Sequence, residues 1–389
     1  MEFSKRMNLF GESIFTTLAK MRKEKQDKGE EVIDLSIGAP NIPPASHILQ
    51  AISDACLEPQ NYLYAISDQE DLLKAVQTWY QRRYGVYLDE TKEIVSLLGS
   101  QEGLSHLAMT IVDDGDVVLV PNPSYPIFKD GPLLAGARVI DMPLKKENQY
   151  MIDFACIQEE DAKKAKLMIV SYPNNPTCAI ANAEFYQELI AFAKKYDIIV
   201  LHDNAYSELL FEGIGHSFLE FEGAKDVGIE FNSLSKTYGL AGARIGFALG
   251  NEAIIQKIKT LKSNIDYGMF LPIQKGAIAA ITGDQCCVSA TREAYRHRRD
   301  LLVDGCRDIG WHFDKPQGTM FVWAKIPQHY LSSEDFVHDL FEQTGVLVVP
   351  GNAFGSEGEG YVRMALVQDD ETIYKALQKM KASHIFLQQ

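Results

Sequence analysis

Lys236 stands in the run Ser233-Leu-Ser-Lys236-Thr-Tyr-Gly-Leu-Ala-Gly-Ala-Arg244-Ile-Gly246, among small hydroxyl residues and eight residues before an arginine. A lysine amine can form a Schiff base with an aldehyde cofactor, and pyridoxal phosphate is the common one. Such a cofactor asks for an acid beside its ring nitrogen, a phenol near its ring oxygen, and cations with hydroxyls around its phosphate. Asp203-Asn-Ala-Tyr206 follows an apolar run and offers the acid and the phenol. A carboxylate at the end of a buried strand is costly unless something meets its charge, although a helix cap or turn is the plainer reading. Gly99-Ser100-Gln101-Glu102-Gly103 lies between the apolar run 94–98 and a helical pattern over 104–111. Backbone amides at that helix start, with the Ser100 hydroxyl, suit a dianionic phosphate. Ser233 and Arg244 complete the same site, the arginine through its planar fork.

The elements that must hold these groups are short. Val117-Val-Leu-Val120, Lys166-Leu-Met-Ile-Val170 and Ile198-Ile-Val-Leu201 are continuous apolar runs, the pattern of strands buried on both faces. Between the last two, residues 184–195 space apolar side chains as a helix does and end in lysines. Strand, helix, strand at this length predicts a parallel βαβ unit with functional groups at the carboxyl ends of its strands. Asn175 and Asp203 fall at two such ends. Residues 13–25 predict a helix and 32–37 a strand. After about residue 280 a basic helix (292–299) leads to the short strands Met320-Phe-Val-Trp323 and Val346-Leu-Val-Val349. The expected division is an amino-terminal arm (1–45) packed with the small domain, a large domain (46–280) and a small carboxyl-terminal domain (281–389).

The 389 residues allow two or three domains. A net charge of −15 argues against nucleic-acid binding, which relies on basic patches. The amino terminus lacks the apolar segment of a signal peptide, and no stretch reaches transmembrane length, so the expected location is the cytoplasm. Six cysteines (56, 156, 178, 286, 287 and 306) show no CxxC pair, so neither a metal site nor a disulfide framework is expected.

Taken together, these motifs resemble the class I/II aminotransferases of the fold-type I pyridoxal-phosphate enzymes, from about residue 30 to about 370. The nearest texture is that of the bacterial group that includes LL-diaminopimelate, alanine and aspartate aminotransferases. The resemblance implies an α/β fold, with a mostly parallel sheet in the large domain and a smaller α+β domain. It implies that Lys236 carries the internal aldimine and then, as a free amine, moves the proton between the substrate Cα and the cofactor. Asp203 would keep the ring nitrogen protonated, while Tyr206 and Asn175, in Tyr172-Pro-Asn-Asn-Pro-Thr177, would contact the ring oxygen. Ser100, Gln101, Ser233 and Arg244 would hold the phosphate, and Tyr125 would stack on the ring. Arg363, in Gly360-Tyr-Val-Arg-Met-Ala365, would clamp the α-carboxylate in a pocket shared with Asn175 and the Gly38 backbone. Tyr64 would be lent to the phosphate site by the other subunit of a homodimer with shared active sites. The Asn175–Pro176 bond is expected to be cis.

The implied reaction is a ping-pong transamination through aldimine and ketimine forms between an L-amino acid and a 2-oxo acid. A C–S β-lyase on the same scaffold is the alternative. A regulator with a degenerate catalytic domain fits poorly, because about thirty residues before the first motif are too few for a helix-turn-helix. Two departures stand out. Cys178 follows Asn-Pro-Thr where the family has glycine, which places the local turn in question. The stretch Ser263-Asn-Ile-Asp-Tyr-Gly268 has no arginine for a second substrate carboxylate, and Asp266 would repel one if it faced the site. Aspartate is therefore expected to be a poorer donor than neutral amino acids or those with a distal ammonium, unless a cation supplied from elsewhere, such as Lys262 or the partner subunit, reverses this.

Overall fold

Val, Ile and Leu runs with turn residues at their ends build the sheet that carries the site. The computed structural model describes residues 1–383, 385 and 386. After the helix Ile14–Asp27 comes a two-residue strand, β1 (Ile33–Asp34). The large sheet is formed by β2 (Ile94–Leu97), β3 (Val117–Asn122), β4 (Arg138–Pro143), β5 (Ala165–Ser171), β6 (Ile199–Asp203), β7 (Gly228–Ser233) and β8 (Gly246–Gly250). Their order is β2-β8-β7-β6-β5-β3-β4. The pairings from β4 to β7 are parallel, and β8 runs antiparallel to both β7 and β2. The sheet is thus mostly parallel, and the carboxyl ends of β5, β6 and β7 gather at one edge. Ser171 pairs with Asp203, and Asp203 with Phe231.

Side chains alternate between the faces of β5 as a strand requires. Leu167 and Ile169 enter one apolar cluster with Leu104, Leu201 and Phe231; Met168 and Val170 enter another with Phe185, Leu189 and Val200. Full burial on both faces explains why these strands read as unbroken apolar runs.

A three-stranded antiparallel sheet follows, β9 (Phe321–Lys325), β11 (Val349–Pro350) and β12 (Tyr361–Ala365), while β10 (Val346–Leu347) pairs in parallel with β1. The single strand expected over 346–349 is therefore two, in different sheets, because the chain changes partner at Val348. The strand expected over 32–37 is reduced to Ile33–Asp34, since β10 offers only two residues to pair with. Leu18, Ile33 and Leu35 join a third core with Phe321, Val346 and Leu377, so the first helix packs with the carboxyl-terminal sheet. The long helix Cys286–Asp308 places Val288 in the large-sheet core and Tyr295, Leu302 and Cys306 in the third.

Candidate active site

The carboxyl edge of the large sheet and the start of β9 enclose a cavity of about 420 Å³, within the range of small-ligand sites. Gly38, Ser100, Gln101, Tyr125, Asn175, Asp203, and also Tyr206, Ser233, Lys236, Arg244 and Arg363 line it. The fold thus brings together residues that lie far apart in the chain. Tyr64 is the exception: it is 86% exposed, lies outside this cavity, and has its ring 6.1 Å from that of Tyr267.

Lys236 lies in a short helix, Leu234–Thr237, immediately after β7. Its amine donates to the Gly38 carbonyl at 2.8 Å. Burial, then the nearby Arg363 and Arg244 charges, lowers its pKa to about 8. Asp203 closes β6 with a buried Oδ1 that has no hydrogen-bond partner. Burial raises this carboxyl to about 6, opposed by His202 and Lys236. Behind it, His202 meets the buried Glu230 carboxylate at 2.8 Å, and that carboxylate accepts from Tyr80 and Ser217. His202 and Glu230 thus satisfy each other and leave Asp203 for the cavity.

Another side of the cavity is built by a turn. Gly99 caps the helix Ser100–Ile111 at φ +79°, a conformation glycine adopts without penalty. Glu102 accepts from the Leu98 amide at 2.7 Å and holds the turn. The helix thus begins at Ser100, four residues before the expected 104. Arg244 packs against the turn, donating to the Ala241 carbonyl at 2.9 Å and to the Leu98 carbonyl at 3.4 Å, and the Ser233 hydroxyl donates to Ser235 at 2.9 Å. Glu102, His106 and Asp266 cluster behind this turn. The Lys262 ammonium binds Glu102 at 3.0 Å and Asp266 at 3.3 Å, placing an ammonium within the cluster. Asp266 and Lys262 are accordingly spent on each other and do not line the cavity. The condition on which Asp266 would repel a substrate carboxylate, that it face the site, is not met by the residues lining this cavity.

On the opposite wall, the buried Arg363 guanidinium donates to Asn175 Oδ1 at 2.9 Å and to the Ser36 carbonyl at 3.1 Å, while its Nε lacks a partner. Phe321 lies 4.2 Å from it, ring centre to guanidinium, and Phe354 4.7 Å. Burial lowers this arginine to about 10, against the opposing influence of Tyr206 and Tyr125. Asn175 precedes a cis proline, and Asn174 pins the same loop by accepting from the Thr177 amide and hydroxyl at 3.0 and 2.8 Å. Cys178 takes a left-handed φ of +63°, so the loop keeps the conformation a glycine would favour. Its thiol donates to the Phe321 carbonyl and accepts from the Thr319 hydroxyl, both at 3.3 Å. Phe15, Ile37 and Phe321 also line the cavity. As plain apolar residues they carry no local signal, and only packing brings them there.

A set made of one amine of lowered pKa, one buried carboxylate, a phosphate cradle and a caged arginine is that of a pyridoxal-phosphate enzyme acting on amino acids. The chain belongs to the family aminotransferase class I and II, which it matches over residues 30–380. It is 44% identical over 387 residues to an LL-diaminopimelate aminotransferase of Halothermothrix orenii, covering 99% of each chain. An LL-diaminopimelate aminotransferase of Moorella thermoacetica is 42% identical over 385 residues, 98% of each. Among solved structures, apo-BacF from Bacillus subtilis superposes with a TM-score of 0.95 at 37% identity, covering 98% of both chains. A mutant of Thermus thermophilus aspartate aminotransferase gives 0.92 at 25% identity, covering 98% of this chain and 100% of the other. The protein is therefore an aminotransferase whose cofactor is pyridoxal phosphate, and the relatives lend no support to C–S cleavage. The residues fit the cofactor: Asp203 Oδ1 is buried and unpartnered, and the Arg244 guanidinium packs on the Gly99 turn, where an added Cβ would collide with its Nη2. No helix among the described residues is long and apolar enough to cross a membrane.

Proposed function

We propose that Lys236 is the attachment point and proton carrier of a ping-pong transamination, with the other cavity residues dividing the cofactor and substrate between them. When the cofactor is bound, Asp203 would meet the ring nitrogen, Tyr206 and the Asn175 amide the ring oxygen, and Tyr125 the ring. Ser100, Gln101, Ser233 and Arg244 hold the phosphate. When bound, the cofactor supplies an electron-accepting ring that takes up the charge left by a departing Cα proton. Lys236 is suited to move that proton because burial and two arginines hold its pKa near 8, close to the working range of a general base. Arg363 holds the α-carboxylate with a bidentate fork, beside the Gly38 backbone and Asn175. The observation that carries the reading is the convergence of the Lys236 amine and an unpartnered, buried Asp203 oxygen on one cavity. Borohydride reduction followed by peptide mapping should place the pyridoxyl adduct on Lys236 alone; an adduct on another lysine would refute the assignment.

The same reading includes a homodimer in the cytoplasm. Tyr62, Leu63, Tyr64 and Ile66 are all exposed, on a segment tied to Gly268 through the Ala65 carbonyl at 2.7 Å. An apolar stretch of this kind marks an interaction surface, and a second copy would carry Tyr64 to the partner's phosphate site. The six free cysteines agree with a reducing compartment. The division into an arm (1–45), a large domain (46–280) and a small domain (281–389) is supported by the separate apolar cores.

A further inference from the structure

Four charged side chains line the cavity: Asp203, Lys236, Arg244 and Arg363. On the transamination reading, on which this inference rests, each is committed to a part common to every substrate or to the cofactor. The walls left for the substrate's side chain are Phe15, Ile37, Ala39 and Phe321. Phe321 and Phe15 lie on the Arg363 guanidinium, with ring centres 4.2 and 5.7 Å from it. A substrate held at Arg363 therefore projects its side chain among aromatic rings.

The nearby ions do not change this. Lys262 binds both Asp266 and Glu102, away from the cavity. The segment around Tyr64, which a second copy would present, carries the exposed uncharged residues Tyr62, Leu63, Tyr64 and Ile66 between the exposed charges Glu58 and Glu70. A second ammonium or carboxylate on the substrate would lose its hydration without gaining an opposite charge, which is strongly unfavourable. An apolar side chain meets the reverse balance, gaining for each apolar area it buries, and a flat ring gains further from edge or face contacts with Phe15 and Phe321.

We infer that the preferred amino donor carries an uncharged apolar side chain, aromatic above all, and that diamino-dicarboxylic acids of the kind named for the relatives are poor donors. The donor gives its nitrogen to the cofactor and leaves as the corresponding 2-oxo acid; a second 2-oxo acid takes that nitrogen up, so the exchange needs no outside oxidant.

The test uses holoenzyme, with two readouts. In single turnover, loss of the cofactor's visible band should be about tenfold or more faster per unit concentration with L-phenylalanine, L-leucine or L-methionine than with LL-diaminopimelate or L-aspartate. LL-diaminopimelate or aspartate ranking first would overturn the inference. Thermal shift with compounds that lack the amino group and cannot react gives the second readout. 3-Phenylpropionate should raise the melting temperature more than glutarate does, and the reverse order would overturn the inference. The Phe15→Ala variant should shrink this difference. If no donor discharges the cofactor, the transamination reading fails instead, and the thermal-shift order still decides the character of the pocket.

Discussion

A lysine amine with a pKa lowered to about 8 is neutral at pH values where an ordinary lysine is still charged. Only the neutral amine attacks an aldehyde, so reconstitution of the apoenzyme with pyridoxal phosphate should accelerate as pH rises and level off above about 8. A stopped-flow series of the rising visible band checks this, and a midpoint at the ordinary lysine value would contradict it. Lys236→Ala should form no such band and lose turnover. Asp203→Asn should retain much of its cofactor affinity, since the phosphate contacts remain, yet lose orders of magnitude in turnover. Equilibrium cofactor binding measured beside kcat separates the two effects. Arg363 acts on what all substrates share. Arg363→Lys should therefore lower kcat/KM for every donor by a similar factor, about 1.5–3 kcal/mol, the scale of a hydrogen bond to a charged group.

Among the elements, the Asn174–Cys178 loop and the start of β9 hold each other in place. Cys178 and Thr319 both adopt left-handed φ values, +63° and +70°, and their side chains meet at 3.3 Å. A non-glycine residue in that conformation costs about 1–2 kcal/mol. Cys178→Gly removes this cost along with the sulfur contacts, whereas Cys178→Ala loses the contacts and keeps the strain. The glycine variant should therefore be the more stable of the two, reversing the usual order of alanine over glycine. Urea denaturation of the three proteins decides it. Because Cys178 touches the Phe321 carbonyl, the alanine variant should also weaken substrate binding through displacement of the Phe321 ring.

For the whole molecule, the exposed position of Tyr64 makes a specific demand. A monomer with Tyr64 86% exposed and outside its own cavity would be indifferent to Tyr64→Phe. A dimer that shares its sites would lose a phosphate contact and bind the cofactor more weakly. Mixing Lys236→Ala subunits with Tyr64→Phe subunits supplies a sharper measurement. Each heterodimer then contains one site with both residues intact, so mixing should restore normal cofactor affinity in that site. Unchanged affinity after subunit exchange would rule out the shared site.

Much of this protein is decided locally. The Lys236 motif, the Asp203-x-x-Tyr206 spacing and the Gly99–Gln101 turn each lie within a few residues, and the buried strands that present them show as short apolar runs. Chemistry and periodicity at that range need no knowledge of distant partners. The same holds for the parallel βαβ unit and for the placement of Asn175 and Asp203 at strand ends. Other features wait for the fold. Residues 346–349 read as one strand, yet they divide between two sheets because strand pairing depends on β1 and β12, hundreds of residues or a whole hairpin away. Asp266 was legible as a charge near the substrate stretch, and its partner Lys262 lies one helical turn before it, but the Glu102 carboxylate that shares this ammonium comes from another helix. Phe15, Ile37 and Phe321 look like any core residue in the sequence. They become the substrate wall only because the amino-terminal helix and β9 close over Arg363, and apolar packing, having no direction of its own, leaves that choice to tertiary structure.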